Sequence, residues 1–146
     1  MKHPAHYDTD EATSQRMSHV RLKRGEGETA IAKELWREGY RYWLNYKKLP
    51  GSPDIAIKRY HIAIFVDGEF WHGYDWERRK QSIKRNRDYW IEKIEENIAR
   101  DSRVDRELHA LGWIPIRFWT KDVQKDLPGC IQTVKDTIFE QIIDQE

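Results

Sequence analysis

Leu49-Pro-Gly-Ser-Pro-Asp54 and, after a short charged turn, Ile62-Ala-Ile-Phe-Val-Asp-Gly-Glu-Phe-Trp-His72 decide the fold of this chain. Ile62 to Val66 is an unbroken apolar run of strand length, as expected of a central strand buried on both faces. Asp54 to Ile57 precedes it as a second strand. Tyr40 to Tyr46 reads as another, with Tyr40, Tyr42 and Leu44 alternating against Arg41, Trp43 and Asn45. Upstream, a helix is expected from about Glu28 to Glu38, with Ile31 and Leu35 on one face and Gly39 placed to end it. Downstream, a long helix runs from about Asp88 to Leu111, its inward stripe formed by Trp90, Ile94, Ile98, Val104, Leu108 and Leu111, and Gly112 ends it. Trp113 to Trp119 is a fourth strand, and after a break at Pro128-Gly129 the residues Ile131, Val134, Ile138 and Ile142 mark a terminal helix. The order α-β-β-β-α-β-α predicts an α/β fold, a mixed central sheet flanked by helices.

At 146 residues and 38% hydrophobic composition, the sequence suits a single domain over 1–146, with a polar N-terminal arm (1–27) and a compact core (28–146). No apolar run of about 18 residues is available to span a membrane, and Met1-Lys-His-Pro-Ala-His-Tyr lacks the apolar stretch of a signal peptide, so the expected location is the cytoplasm. Cys130 is the only cysteine and reads as a buried thiol on the last helix. The net charge of +1 argues mildly against a nucleic-acid partner, but its distribution does not. Arg16, Arg21, Lys23 and Arg24 occur without an acid between Ser14 and Arg24. Arg78, Arg79, Lys80, Lys84, Arg85 and Arg87 face only Glu77 between Trp76 and Arg87. Two such runs concentrate positive potential on part of the surface, where phosphates are neutralised. For either run alone, a solvated loop is the favoured reading.

The chemistry begins at Asp54, whose Pro-Asp step places a carboxylate at the mouth of the sheet. Mg²⁺ takes hard oxygen ligands, often one or two carboxylates completed by water and phosphate oxygens. His72, on the acid-bearing turn after the apolar strand, falls near Asp54 if the two strands pair. A neutral imidazole oriented by an aspartate accepts a proton from an attacking water. Asp101 lies three residues from both Ile98 and Val104, on the apolar face of the long helix, where an unpaired carboxylate is costly. Taken singly, Asp54 is an ordinary turn aspartate, His72 a loop histidine and Asp101 a helix-surface acid; their company favours a hydrolytic site. Phe70 and Trp71 on the same turn suit either a core edge or a wedge between base pairs.

Together these segments, with Glu-Lys-Ile-Glu-Glu-Asn-Ile-Ala-Arg-Asp101, Leu-Gly-Trp113 and the upstream Ser14-Gln-Arg-Met17, resemble the very short patch repair (Vsr) endonucleases over roughly residues 13 to 120. The resemblance implies a restriction-endonuclease-like fold (PD-(D/E)XK superfamily) and Mg²⁺-dependent nicking of double-stranded DNA beside a T:G mismatch. It implies Asp54 and the backbone carbonyl of Val66 as metal ligands, His72 as general base, Asp101 as its partner and Glu28 as the acid supporting metal-bound waters. Met17, Phe70 and Trp71 then match the residues that wedge into the duplex, with Arg16, Arg21, Lys23, Arg78, Arg79, Lys80, Lys84 and Arg85 available for phosphates. On family grounds alone the setting is the bacterial nucleoid, and a mismatch-repair protein is a candidate partner.

The departures are specific. Where the best-known members of the family bind a structural zinc, this chain carries Glu69, Tyr74, Trp76 and Lys121, so no structural zinc is expected and packing by Tyr74 and Trp76 is expected to brace the turn. A second family histidine is replaced by Asp67, an added metal ligand or a weakened leaving-group contact. The alternatives are a site-specific or homing-type endonuclease with the same catalytic set, a non-catalytic DNA-binding module, and a single-strand or RNA nuclease, which would not need the Met17, Phe70 and Trp71 wedge.

Overall fold

The computed structural model describes His6–Tyr7 and residues 25–144. Five strands form one sheet, β1 (His6–Tyr7), β2 (Trp43–Leu44), β3 (Ile55–Ile57), β4 (Ile62–Asp67) and β5 (Ile114–Trp119), in the spatial order β1-β5-β4-β3-β2. The helices are α1 (Glu26–Arg37), α2 (Trp76–Arg79) with a 3₁₀ turn at Lys80–Ser82, α3 (Arg87–Ala110), α4 (Thr120–Lys125) and α5 (Leu127–Asp144). β3 and β4 pair antiparallel, with Ile55 opposite Ile64. β4 and β5 pair parallel from Ile62↔Ile114 to Asp67↔Trp119, as a crossover through α3 requires. The sheet is therefore mixed and flanked by helices, as expected.

Period-two alternation sorts the strand residues between two cores. Ile55, Ile57, Ile62, Ile64, Ile116 and Phe118 pack with Ile31 and Leu35 of α1 and Val134 and Ile138 of α5. Ala56, Ala63 and Phe65 face Val104 and Leu108 of α3. The small Ala56 and Ala63 leave room for α3 to lie close to the sheet. The same alternation turns Asp67 and Arg117 toward the α3 side, an outcome with chemical consequences.

Several sequence expectations need correction. The strand expected over Tyr40 to Tyr46 shrinks to Trp43–Leu44 because its first residues are bound elsewhere: Tyr42 Oη donates to the Ala32 carbonyl at 2.7 Å, and Arg41 donates to the carbonyls of Trp36 and Tyr40. Asn45, with φ of 47°, then interrupts the regular ladder, although its amide and that of Tyr46 still donate across the hairpin to the Asp54 and Pro53 carbonyls at 2.9 and 3.0 Å. Pro128-Gly129 does not precede the last helix but forms its first turn, where a missing N–H goes unused; the Asp126 carboxylate accepts from the Gly129 amide at 3.0 Å as an N-cap. Leu111, expected inside, is 59% exposed because the chain turns at Gly112 (φ 84°), and Ile142 is exposed near the helix end. Trp90 leaves the core stripe and stacks on Phe70 and Trp71 instead. The first part of the basic run, Arg78, Arg79 and Lys80, is not a loop but lies in α2 and the 3₁₀ turn, whereas Lys84 and Arg85 do lie in a loop before α3, and His6–Tyr7 of the polar arm joins the sheet beside β5. Arg16, Met17, Arg21, Lys23 and Arg24 lie outside the described residues. Among the described residues, no helix is long and apolar enough to cross a membrane. Cys130 is fully buried, and burial pushes its thiol up to about 12.

A third cluster, Trp76, Ile94 and Ile98, fastens the turn carrying His72 to α3. Gly73 makes this approach possible: its φ is +74°, and a Cβ there would collide with Ile98 Cδ1 and lie 2.7 Å from Ile98 Cγ1. Gly73→Ala should therefore destabilise the fold by about 3 kcal/mol, read by urea unfolding, because it combines strain with overpacking. An unchanged midpoint would show that the turn is not seated on α3 in this way.

Candidate active site

Asp54 stands at the head of β3, where the β2–β3 hairpin returns to the sheet. Gly51 in that hairpin passes so close to α3 that a Cβ would lie 2.6 Å from Val104 Cγ1. Asp54 Oδ2 accepts from the Val66 amide at 2.8 Å, which fixes the carboxylate against the end of β4. Its pKa rises from the ordinary 3.8 to about 6. Burial is the main cause, the negative charges of Glu28 and Asp67 add to it, and the Val66 N–H and His72 oppose it. Glu28, in the first turn of α1, is thus within electrostatic reach of Asp54.

His72 lies five residues beyond β4. The Asn97 side chain of α3 donates to the Trp71 carbonyl at 2.9 Å and holds the turn in place. His72 Nδ1 is 2.5 Å from Asp101 Oδ2. An ionised aspartate only accepts, so Nδ1 carries the proton and Nε2 is left as the acceptor of the neutral ring. Nε2 lies 3.8 Å from Asp67 Oδ1. Burial disfavours the charged imidazole, yet the Asp101 hydrogen bond and the charges of Asp67 and Asp101 outweigh it, and the pKa of His72 is raised above 6.5.

Arg117, which the sequence reading did not select, organises this group. Its guanidinium is buried, contacts Asp67 Oδ2 at 3.0 Å, Asp105 Oδ1 at 2.9 Å and Asp101 Oδ1 at 3.7 Å, and stands 4.1 Å over the Phe65 ring. The available signal was a lone arginine in the apolar run Ile114 to Trp119, opposite Phe65 in the parallel register. Removing one charge from a buried ion-pair group strands its partners.

The turn's remaining residues pack as a unit. Phe70 and Trp71, 41% and 48% exposed, stack edge-on with each other and with Trp90, itself in contact with Tyr89. Glu69 Oε1 accepts from the Lys121 amide at 2.7 Å, Lys121 Nζ lies 3.3 Å over the Tyr74 ring, and Tyr74 meets Trp119 edge-on. Trp76 is buried with Nε1 donating to Glu95. Among the basic residues, Arg78 pairs with Asp75 and Lys80 with Glu95, while Arg79, Lys84 and Arg85 are exposed.

Among the described residues, two groups of donors could hold a cation. Asp67, His72 and Asp101 bring one ligand atom each within 4.8 Å of one another, but Asp67 is paired with Arg117 and His72 with Asp101. Asp54 offers a partly buried carboxylate beside the Val66 backbone, in a negative field from Glu28 and Asp67 that a cation would relieve. The all-oxygen character of this second group suits Mg²⁺ better.

Metal-free stability should register the strain at Asp54. With its pKa at about 6 in the folded chain against 3.8 ordinarily, ionisation opposes folding fully above pH 6, and the penalty vanishes as pH falls below about 4. In EDTA, Asp54→Asn should melt roughly 5 °C above the parent at pH 8 and match it near pH 4. A lower melting temperature at pH 8 would contradict the burial. Arg117→Met should lose about 3–5 kcal/mol in urea unfolding.

Residues 6–78 match the family described as DNA mismatch endonuclease Vsr. The chain is 45% identical over 130 residues to the type II nicking enzyme V.NmeDIP of Neisseria meningitidis serogroup C, covering 89% of this chain and 88% of that protein. It is 47% identical over 116 residues to the type II nicking enzyme V.HpaIIP of Haemophilus parainfluenzae (80% and 82%). With the DNA mismatch endonuclease Vsr of Escherichia coli K12 it shares 32% identity over 111 residues (75% and 70%). With its carboxylate–histidine site assembled at the sheet mouth and these matches spanning most of each relative, the chain belongs to the Vsr family of DNA mismatch endonucleases.

Proposed function

We infer that the protein is a DNA endonuclease of the very short patch repair type, which hydrolyses one phosphodiester of double-stranded DNA beside a T:G mismatch. The observation that carries this reading is the 2.5 Å His72–Asp101 contact, which leaves Nε2 facing the carboxylate-lined mouth where Asp54 stands. The restriction-endonuclease-like (PD-(D/E)XK) arrangement is part of the same inference, supported by the mixed sheet with Asp54 at the head of β3. The setting we infer is the bacterial cytoplasm, at the nucleoid.

Asp54 and the Val66 carbonyl would hold Mg²⁺, with Glu28 hydrogen-bonding its waters. When bound, the ion supplies Lewis-acid stabilisation of charge on the phosphoryl oxygens. His72 Nε2 takes a proton from the attacking water as its oxygen forms the new bond to phosphorus. The bond from phosphorus to the leaving oxygen breaks, its electron pair stays on that oxygen, and solvent supplies the proton that oxygen takes up. Asp101 stabilises the imidazolium so formed. Phe70 and Trp71, buttressed by Trp90, would wedge between base pairs, and Met17 is inferred to join them on the family resemblance alone. Arg79, Lys84 and Arg85, together with Arg16, Arg21 and Lys23, would neutralise phosphates.

A second reading, sequence-specific nicking without a mismatch, draws on the nicking-enzyme relatives. Labelled duplexes, one fully paired and one with a central T:G mismatch, separate the two when incubated with Mg²⁺ and with EDTA. Magnesium-dependent nicking of one strand of the mismatched duplex is expected; equal cutting of both moves the chain to the second reading. Binding without cleavage of either would make it a non-catalytic module. Asp54→Ala and His72→Ala should each lower the cleavage rate at least about 1,000-fold with duplex affinity retained.

A further inference from the structure

We propose that Asp67, held by Arg117, is a second catalytic carboxylate: the attacking water gives one proton to His72 Nε2 and hydrogen-bonds through the other to Asp67 Oδ1. The proposal rests on the reading of His72 as general base; it gives Asp67 the attacking water in place of the metal or leaving-group contact that the family resemblance implied, and Arg117 a role that resemblance did not name.

Three observations carry it. The Nε2 to Oδ1 separation of 3.8 Å is too long for a direct hydrogen bond and short enough for one water to reach both atoms. Asp67 is itself 4% exposed and fixed by Arg117 Nη1 at 3.0 Å on Oδ2, so Oδ1 has a defined position beside the imidazole. Arg117 is in turn over-determined: Asp105 binds it from the far side at 2.9 Å, the Asp101 carbonyl accepts at 3.4 Å, and it is 3% exposed. One guanidinium thus sets both carboxylates that flank His72, Asp101 at Nδ1 and Asp67 toward Nε2. A core needing only packing has no use for two buried acids and a half-buried third around one arginine, since apolar residues of similar volume stabilise as well or better. A water held at both hydrogens keeps its lone pairs on the side away from the clamp, available for attack on phosphorus.

The chemical step is unchanged in its balance. The proton accepted by Nε2 is the only one transferred to the protein; the hydrogen facing Asp67 stays on the oxygen that becomes bonded to phosphorus, and Asp67 ends the step ionised. Asp67 touches the reacting water and is catalytic in that sense, whereas Arg117 acts through it and is a positioning residue.

The test is single-turnover cleavage of the mismatched duplex at saturating enzyme and Mg²⁺, with duplex and Mg²⁺ affinities measured by calorimetry. Asp67→Asn should lower the rate constant about 50-fold while leaving both affinities within about twofold, and its effect should shrink below about threefold in a His72→Ala background. Arg117→Lys, which keeps the charge but loses the fork, should lose about 10-fold without a change in duplex affinity. If Asp67→Asn fails to fold, Asp105→Asn, which loosens Arg117 from the outer side, should still give a partial rate loss. A parental rate in Asp67→Asn would overturn the proposal. So would a weakened Mg²⁺ affinity with a normal rate at saturation, which marks Asp67 as a metal ligand, or an undiminished loss without His72, which marks a structural role. An active His72→Ala sinks the general-base reading itself; an inactive one beside a parental Asp67→Asn sinks only this inference.

Discussion

The hydrogen bond between His72 and Asp101 joins the turn after β4 to the middle of α3, and the site exists only where those two elements meet. Neither element would present its polar group alone. The turn depends on Gly73 to lie against Ile98, and on Asn97 to hold the Trp71 carbonyl. The helix depends on Ala56 and Ala63 to lie close to the sheet. Packing thereby sets a ring orientation, and the ring orientation sets which nitrogen faces the mouth.

Electrostatically the site is built against stability. Asp54 is buried beside other acids, and its affinity for protons is raised accordingly. Asp67, Asp101 and Asp105 share one guanidinium, and burial works against that charge until the three acids outweigh it. A domain of this size is stable by only about 5–15 kcal/mol, so such strain is tolerated because the two apolar cores on either side of the sheet are large and continuous. The unpaired negative field at Asp54 is the feature that would attract a divalent cation, and the neutralised field at Arg117 is the feature that would not.

Much of this was legible in the sequence. Apolar runs and helical spacing located α1, β4, α3 and β5, because those elements are long and their burial is periodic. Asp101 stood out as an acid on an apolar stripe, and it does face His72. Short elements were not legible: β2 is cut to two residues by hydrogen bonds from Arg41 and Tyr42 to α1, partners that no local pattern reveals. Arg117 escaped notice because its meaning lies in the parallel register with Phe65 and in the side of the sheet it faces, both of which need the topology first. Trp90 read as core since its spacing fits, while the turn it meets arises from a segment twenty residues earlier.

Asp101 fixes the ring of His72 with its proton on Nδ1 and leaves Nε2 as the base. In free histidine the neutral ring prefers the opposite tautomer, so the assignment is open to direct observation. Ring-nitrogen NMR of ¹⁵N-histidine-labelled protein, followed to a pH above the titration of His72, measures it. A protonated Nδ1 and an unprotonated Nε2 are expected, a state lost in Asp101→Asn. A proton on Nε2 in the parent protein would contradict this assignment.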